Sequence, residues 1–176
     1  MKEKWKLSFK EINPKELNEF NAFSRIGDNW MLITAGNKQK FNTMTASWGA
    51  IGVLWNKNVI TIFVRPQRYT FEFLEENDYY TLSFFDSKYK KELSFCGTHS
   101  GRDTDKIKET NFTPLFDREA PYFNEAENVF VCKKIYTQFM EPSGFIDVTL
   151  EKNYEKNDYH KIYVGEIVSC MKKISD

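Results

Sequence analysis

Two short polar segments place cations and hydroxyl groups at the starts of predicted helices. One reads SGRDTDK, residues 100–106, and the other reads RPQRYT, residues 65–70, directly after a predicted strand. A helix N-terminus offers free N–H groups and a partial positive charge, to which Arg adds a planar two-pronged donor and Lys a point charge. Either segment alone is more typical of a solvated helix start or of a strand end. Directed at one place, the two together would bind a phosphate monoester.

A third segment, NTMTASWG at residues 42–49, lines up small side chains and hydroxyls before the large flat ring of Trp48. A planar heterocycle needs such a surface, with backbone N–H and C=O groups at its edge and little side-chain bulk above it. The competing explanation is that Ala46, Gly49 and Ala50 are small because a barrel strand coils tightly there. The spacing alone does not separate the two.

Other chemistry-bearing residues are few and scattered. The three cysteines, Cys96, Cys132 and Cys170, lie far apart, and His99 and His160 are the only histidines. Neither a zinc site nor a disulfide framework is expected, and no metal ligand is assigned. Cys96 is better explained as a buried structural thiol than as a redox group, because thiolate activation needs an exposed sulfur beside a cation.

Composition predicts one β-rich domain over residues 1–176. The 16 Phe, 9 Tyr and 4 Trp bury large areas and favour sheets. Lys and Arg total 25, as do Asp and Glu, so no net field attracts nucleic acid or an acidic membrane. The first residues lack an apolar signal core, and no run of apolar residues is long enough to span a bilayer. We therefore expect a cytoplasmic protein with reduced cysteines.

Six strands and three short helices are predicted to position these segments. Turn residues, N-caps and alternation place helices after Thr70, after Ser87 with an end at Gly97, and after Asp103, and they place a hairpin turn at WNKN. The predicted strands cover residues 29–36, 41–55, 59–66, 79–85, 128–139 and 160–173. Strands interrupted by single helices indicate a closed antiparallel barrel rather than alternating βαβ units.

Four motifs, in this order, resemble those of the flavin reductase-like proteins of the FMN-binding split-barrel fold, which include flavoredoxins. They are NxMTASWG, VRPQRYT, CGxxSGRDxDK and YHKIYVGEI, and the similarity runs over about residues 30–168. The resemblance implies a mainly β protein with short helices, folded as a six-stranded antiparallel Greek-key split barrel. It also implies a homodimer with FMN near the subunit interface.

Carried over position by position, the resemblance assigns the cofactor-binding residues. The isoalloxazine ring would lie against Thr45, Ala46, Ser47 and Trp48. The ribityl chain and phosphate would be bordered by Arg65, Gln67, Arg68, Tyr69 and Thr70. The phosphate cradle would be completed by Ser100, Gly101, Arg102 and Lys106, with Arg68 and Lys106 as its leading cations. Cys96 and His160 would lie near the flavin, and no catalytic residue is assigned.

The activity implied by the resemblance is hydride transfer from NADH or NADPH to FMN, followed by transfer of electrons to an acceptor. A second possibility is an FMN-containing electron carrier that a redox protein partner reduces. A nucleic-acid binding module is suggested by the aromatic and basic residues of RPQRYTFEF on a barrel. The zero net charge argues against that third class.

Overall fold

The computed structural model of the protein describes residues 8–174, a mainly antiparallel β fold with short helices. The strands are β1 (Phe9–Glu11), β2 (Met31–Gly36), β3 (Phe41–Ala46), β4 (Gly49–Leu54), β5 (Lys57–Val64), β6 (Tyr79–Phe84), β7 (Pro114–Leu115), β8 (Tyr122–Phe123), β9 (Asn128–Phe139) and β10 (Lys161–Lys173). The helices are α1 (Tyr69–Glu76), α2 (Lys90–Thr98) and α3 (Lys106–Thr110).

Eight of these strands form one antiparallel sheet, in the order β3-β2-β6-β9-β10-β5-β4, with β1 paired to β10 beside this path. The two end strands of the path, β3 and β4, are joined in the chain by only Ser47 and Trp48. The sheet must therefore coil so that its two edges meet at that connection. This arrangement is a split barrel. The small ribbon β7-β8 is a separate two-stranded sheet, and its residues Tyr122 and Phe123 pack in one apolar cluster with Leu32 of the main sheet.

The strand predicted over residues 41–55 is two strands, which corrects the predicted number on the main path from six to seven. Its first half pairs with β2, ending at Met31 opposite Ala46, and its second half pairs with β5, starting at Gly49 opposite Ile62. A Cβ atom on Gly49 would lie 3.2 Å from the Met31 side chain and 3.2 Å from the Thr61 carbonyl. Alternation continues through the break, so the pattern alone could not show it.

The predicted hairpin turn is confirmed between β4 and β5. Trp55 and Asn56 form its two-residue loop, with φ angles of 52° and 59°. Two consecutive residues at positive φ are the mark of a type I′ turn, whose twist matches that of the flanking strands. The short strands β1, β7 and β8 were not predicted, because two or three residues are too few to show alternation.

Three predicted helix caps are displaced. The N-cap of α1 is Arg68, and Thr70 lies buried within the first turn. Asp86 caps a short turn before α2 in place of Ser87. Asp105, whose carboxylate accepts hydrogen bonds from two backbone N–H groups, caps α3 in place of Asp103. In each case another polar or charged residue near the predicted cap occupies the N-cap position.

Helix α2 runs one residue past Gly97, where its end was predicted. Gly97 packs against Thr45, and a Cβ atom there would lie 3.3 Å from the Thr45 Cβ. The glycine therefore allows the helix to approach β3 closely and does not end it. This contact brings the C-terminal turn of α2 next to the segment of small residues.

Two apolar clusters surround β2, which explains why its six residues are all buried. Ile33 belongs to the cluster inside the barrel, together with Met44 and Ala46. Its neighbour Leu32 faces the second cluster, which packs against α2 through Leu93. A strand covered on both faces gives a continuous apolar run rather than an alternating one.

Within residues 8–174, no helix is both long and apolar enough to cross a membrane. The three cysteines are buried, as predicted, and none of them is in a disulfide among the described residues. The structure also brings no group of three or more acidic, histidine or cysteine side chains together in a metal-binding arrangement among these residues.

Candidate functional site

The predicted site residues gather around two adjoining hollows beside the β3–β4 connection. The first, here called the cationic hollow, has a volume of about 230 Å³ and is lined by Asn42, Met44, Gln67, Arg68, Tyr69, Thr70, Gly97, Thr98, His99, Ser100, Gly101 and Lys106. The second, the tryptophan hollow, has a volume of about 190 Å³ and is lined by Met44, Thr45, Ala46, Ser47, Trp48, Phe63, Arg65, Arg68 and His160. All predicted residues except Cys96 and Arg102 line one or both.

Arg68 lines both hollows and has no partner within the described chain. Its side chain is half-buried at the start of α1, and no hydrogen bond or ion pair joins its guanidinium to any residue among 8–174. Burial, with a smaller contribution from Arg65, lowers the pKa of Arg68 from its ordinary value. Arginine nevertheless stays protonated in proteins. The site therefore contains a cation that is free to pair with an anionic ligand.

Arg65 and Gln67 are held by Asp158 instead. The Asp158 carboxylate accepts a hydrogen bond of 2.5 Å from Arg65 Nη1 and one of 2.6 Å from Gln67 Nε2. Arg65 also donates to the backbone oxygen of Asn153 at 2.8 Å, and its guanidinium lies 5.2 Å from the centre of the Tyr154 ring. The hydrogen bond from Arg65 holds the pKa of Asp158 below its usual range. The charge of Arg65 is thus already compensated.

Lys106 lines the cationic hollow, but its ammonium group is directed at the protein backbone. Nζ donates to the carbonyl of Thr43 at 2.7 Å and to that of Cys96 at 2.9 Å. The Cys96 carbonyl lies in the last turn of α2, where helical partners run out. Burial lowers the pKa of Lys106 to about 8, with Arg68 adding to the effect. The lysine ties α2 to β3, and one of its three N–H donors remains for a ligand.

The two predicted residues outside the hollows have other partners. Arg102 pairs with the Glu72 carboxylate, donates to the backbone oxygen of Gln67 at 3.1 Å and lies over the Tyr69 ring. Cys96 is fully buried, and burial raises the pKa of its thiol to about 11. A buried protonated thiol agrees with the structural role favoured for Cys96.

Asn42 is a wall of the cationic hollow that was not singled out, although it begins the NTMTASWG segment. Its amide donates to the Thr70 hydroxyl at 2.8 Å. A Cβ atom on Gly101 would lie 2.0 Å from Asn42 Oδ1, so a larger residue there would displace the Asn42 amide. The 100–106 loop therefore approaches β3 closely. No local pattern marks Asn42, because the contacts that place it in this wall come from Thr70 and from the 100–106 loop.

His160 closes the tryptophan hollow. Its ring centre lies 5.3 Å from that of Trp48, and Nδ1 shares a hydrogen bond of 2.8 Å with the Tyr154 hydroxyl. Burial, together with Arg65, lowers the pKa of His160 to about 4. The imidazole is therefore neutral at physiological pH. Phe63, which was not predicted, supplies a second ring to the hollow.

The comparisons with known proteins agree with this architecture. Residues 23–175 match the sequence profile of the family described as flavin reductase like domain. No curated protein sequence is significantly similar to the chain.

Several solved structures have the same fold. Flavoredoxin from Methanosarcina acetivorans is 24% identical, with a TM-score of 0.63, over 82% of this chain and 68% of that one. Flavoredoxin of Desulfovibrio vulgaris (Miyazaki F) is 21% identical, with a TM-score of 0.63, over 83% and 69%. The styrene monooxygenase flavin reductase from Pseudomonas putida S12 is 13% identical, with a TM-score of 0.60, over 82% and 79%. At these identities the likeness concerns the fold.

The lowered pKa of His160 predicts a pH-dependent contribution to stability. The unfolded histidine takes up a proton below its ordinary pKa of 6.5, whereas the folded one takes it up only near 4. Stability is therefore lost as the pH falls from about 6.5 towards 4. Between pH 7 and pH 5 we expect the His160→Gln variant to lose roughly 1–2 kcal/mol less unfolding free energy than the unmodified protein, as measured by urea denaturation. Parallel pH profiles of the two proteins would contradict the assignment.

Proposed function

The chain belongs to the flavin reductase-like domain family, and from this premise we propose that it binds FMN across the two hollows and reduces it with NADH or NADPH. The observation that carries the proposal is the unpartnered Arg68 guanidinium, which lines both hollows. A half-buried cation without a counter-ion is costly unless an anion completes it. The FMN phosphate is such an anion.

In this proposal the cationic hollow holds the phosphate. Arg68 supplies a two-pronged charged donor, and Lys106 supplies its remaining N–H. Ser100 and Thr70 offer hydroxyls, and Gly101 leaves the backbone of the loop uncovered. Charge-assisted hydrogen bonds contribute about 1.5–3 kcal/mol each, so two or three of them retain a phosphate against solvent. Arg102 and Cys96 are not part of this set.

The tryptophan hollow would hold the flavin ring. Ser47 and Trp48 lie between β3 and β4 and belong to neither strand, so their backbone groups are available to the edge of a ring. Thr45 and Ala46 leave room beside them, and Trp48 and Phe63 supply apolar surface. The lining changes from charged in the cationic hollow to aromatic in the tryptophan hollow. A ligand with a phosphate at one end and a planar ring at the other fits this order.

When bound, the flavin supplies the hydride chemistry, and the protein supplies position, electrostatics and exclusion of water. Arg68 and the 100–106 loop anchor one end of the ligand, and the residues from Thr45 to Trp48 orient the other. His160 is neutral and is held by Tyr154. It therefore offers a fixed hydrogen-bonding group rather than a charge at the wall of the ring site. No side chain is required as a nucleophile.

The alternative function is an FMN-containing electron carrier that a redox protein partner reduces. Its support is that the structures of similar fold include two flavoredoxins as well as a flavin reductase. The reductase is preferred because the profile of the flavin reductase-like domain family spans residues 23–175 of the chain. The three free buried cysteines support a reducing, cytoplasmic setting for either function.

We also propose that the chain forms a homodimer through a surface here called the β4 patch, consisting of Val53, Leu54, Trp55 and Tyr136. These large apolar side chains are all exposed, Val53 to 72%, and the Trp55 and Tyr136 rings lie 6.2 Å apart. Strand β4 is an edge of the main sheet. An exposed apolar edge strand favours pairing with another chain unless something covers it.

The phosphate assignment predicts a ligand-specific effect of Arg68→Ala. Loss of the charged hydrogen bonds should weaken FMN binding by roughly 1.5–3 kcal/mol, about ten- to a hundredfold. Riboflavin, which lacks the phosphate, should bind almost unchanged. Calorimetric titration of both ligands measures this, with Arg118→Ala as a control because Arg118 pairs with Glu11 away from the hollows. Equal losses for the two ligands would show that Arg68 acts through the fold.

Lys106→Ala should behave differently from Arg68→Ala, because the Lys106 ammonium bonds two backbone carbonyls of β3 and α2. Its loss should weaken FMN and riboflavin together, with a further loss for FMN alone if the third N–H reaches the phosphate. The same titrations therefore separate an anchoring role from a phosphate-binding role.

The hydride donor is tested by anaerobic stopped-flow mixing. NADH or NADPH mixed with the FMN-loaded protein should bleach the flavin absorbance with at least one of the two nucleotides. If neither nucleotide bleaches a flavin that dithionite readily reduces, the electron-carrier alternative is correct. The colour of the purified protein, and the identity of the flavin it releases on denaturation, decide the cofactor in the same preparation.

The β4 patch predicts a dimer in solution. Multi-angle light scattering at micromolar concentration should give twice the chain mass, and Val53→Lys should shift the protein towards monomer by placing a charge in the buried contact. Ile146→Lys is the matched control, since Ile146 is 96% exposed but lies outside the patch. A monomer with FMN bound would refute the dimer and leave the cofactor assignment intact.

A further inference from the structure

A third hollow adjoins the tryptophan hollow on the side away from Arg68, and it is here called the apolar hollow. Its volume is about 650 Å³, and its walls include Phe23, Ile26, Trp48, Ile51, Phe63 and Met140. Pockets of this size typically enclose small organic molecules. It shares Trp48 and Phe63 with the tryptophan hollow, so an occupant would lie next to the flavin ring.

The lining determines which occupant fits. No charged side chain lines this hollow among the described residues, and Ser47 provides its one side-chain hydroxyl. The cations Arg65 and Arg68 line the tryptophan hollow instead. A nicotinamide dinucleotide carries phosphates that would find no partner here, and burying unpaired charge is costly. The walls are complementary to an uncharged apolar molecule.

The rim of the hollow is itself unusual. Phe23 is 91% exposed and Trp48 is about half exposed. Neither ring belongs to the β4 patch, and none of the patch residues lines the hollow. The hollow and the patch therefore share no residue, although Ile51 of the hollow and Val53 of the patch lie two positions apart on β4. A second copy of the chain would cover the patch, whereas the concave hollow suits a small ring compound.

We propose that the apolar hollow binds an uncharged ring compound of the quinone class, which accepts two electrons from the flavin beside it. The proposal rests on the proposed function, because the flavin is its electron donor. In this step the quinone gains a hydride from the reduced flavin and a proton from water and becomes a hydroquinone. The flavin returns to its oxidised form, ready for another hydride from the nicotinamide. Quinones are planar and apolar, which suits the walls of the hollow. They also accept two electrons, which is what a reduced flavin beside the hollow would donate.

Binding is tested first on the flavin-free Arg68→Ala variant, in which the unpartnered cation of the neighbouring hollows can no longer bind an anionic probe, by equilibrium dialysis with duroquinone. Chloranilate, a benzoquinone that is a dianion at neutral pH, is the matched probe. We expect duroquinone to bind at least about tenfold more tightly than chloranilate, because the hollow offers no cation. Equal binding of the two probes, or binding of neither, would overturn the proposal.

Phe23→Asp places a carboxylate at the rim of the hollow, and Ile146→Asp places one at an equally exposed residue elsewhere. Duroquinone binding should weaken about tenfold in the first variant and change by less than about twofold in the second. Ala50→Trp, which fills the hollow from an exposed residue of β4, provides a second test if Phe23→Asp does not fold. Unchanged duroquinone binding in a folded hollow variant would refute the site.

The same variants are then loaded with FMN, reduced anaerobically and mixed with duroquinone. Reoxidation of the flavin should slow in Phe23→Asp and remain as in the unmodified protein in Ile146→Asp. Failure to bind FMN would refute the proposed function, whereas FMN that is bound and reduced without duroquinone binding would refute only this inference. If Phe23→Asp instead splits the dimer and duroquinone never binds, a second copy covers the hollow and the proposal is wrong.

Discussion

The site depends on one constraint, which is that the chain must leave one strand pair and enter another within two residues. Strand β3 pairs with β2 up to Ala46, and β4 pairs with β5 from Gly49. Ser47 and Trp48 between them belong to neither ladder. Backbone groups outside a ladder need other partners, and a large ring at such a point has no sheet face to pack on. A ligand that brings hydrogen-bond partners and a flat surface satisfies both needs.

The charges around this connection are arranged so that one cation is left for the ligand. Asp158 compensates Arg65, and Glu72 compensates Arg102. Lys106 bonds two backbone carbonyls, which leaves Arg68 without a partner among the described residues. The paired cations hold their loops in place. They bind an added anion poorly, because the anion would first have to displace the carboxylate with which each cation is already paired. Under the proposed function, an anionic ligand would therefore be recognised by the cation that the fold leaves unpaired.

The local sequence predicted which segments would lie together, but not the partners of their individual side chains. The RPQRYT and SGRDTDK segments lie at helix starts and meet at one hollow, as their composition predicts. Their individual partners are distant in sequence: Asp158 is far from Arg65, and Thr43 is far from Lys106. No local pattern shows that Lys106 faces a helix end. Asn42 was missed for the same reason, since its contacts with Thr70 and Gly101 depend on how two distant segments pack.

For the fold, too, the sequence predicted the main elements but not their exact ends. The apolar runs predicted the long strands except that β3 and β4 were predicted as one, and the WNKN turn followed from its residues. The break after Ala46 was hidden, because a strand that changes partners keeps the same alternation of side chains. The helix caps were displaced by two residues or fewer, to Arg68, Asp86 and Asp105. Asp86 and Asp105 cap through their carboxylates, whereas the Arg68 side chain makes no capping hydrogen bond. Which residue occupies the N-cap position depends on where the preceding strand ends in the folded chain.

The order of the three hollows fixes the direction in which a ligand can lie. They run from cationic, through aromatic, to apolar, and each shares residues with the next. A reversed FMN would place its phosphate dianion against Trp48 and Phe63, and an unpaired buried charge costs far more than an aromatic contact returns. Under the proposed function, the ring would therefore lie beside the apolar hollow. An acceptor entering from that side would meet the ring and not the phosphate, because the walls separate the charged end of the ligand from its reacting end.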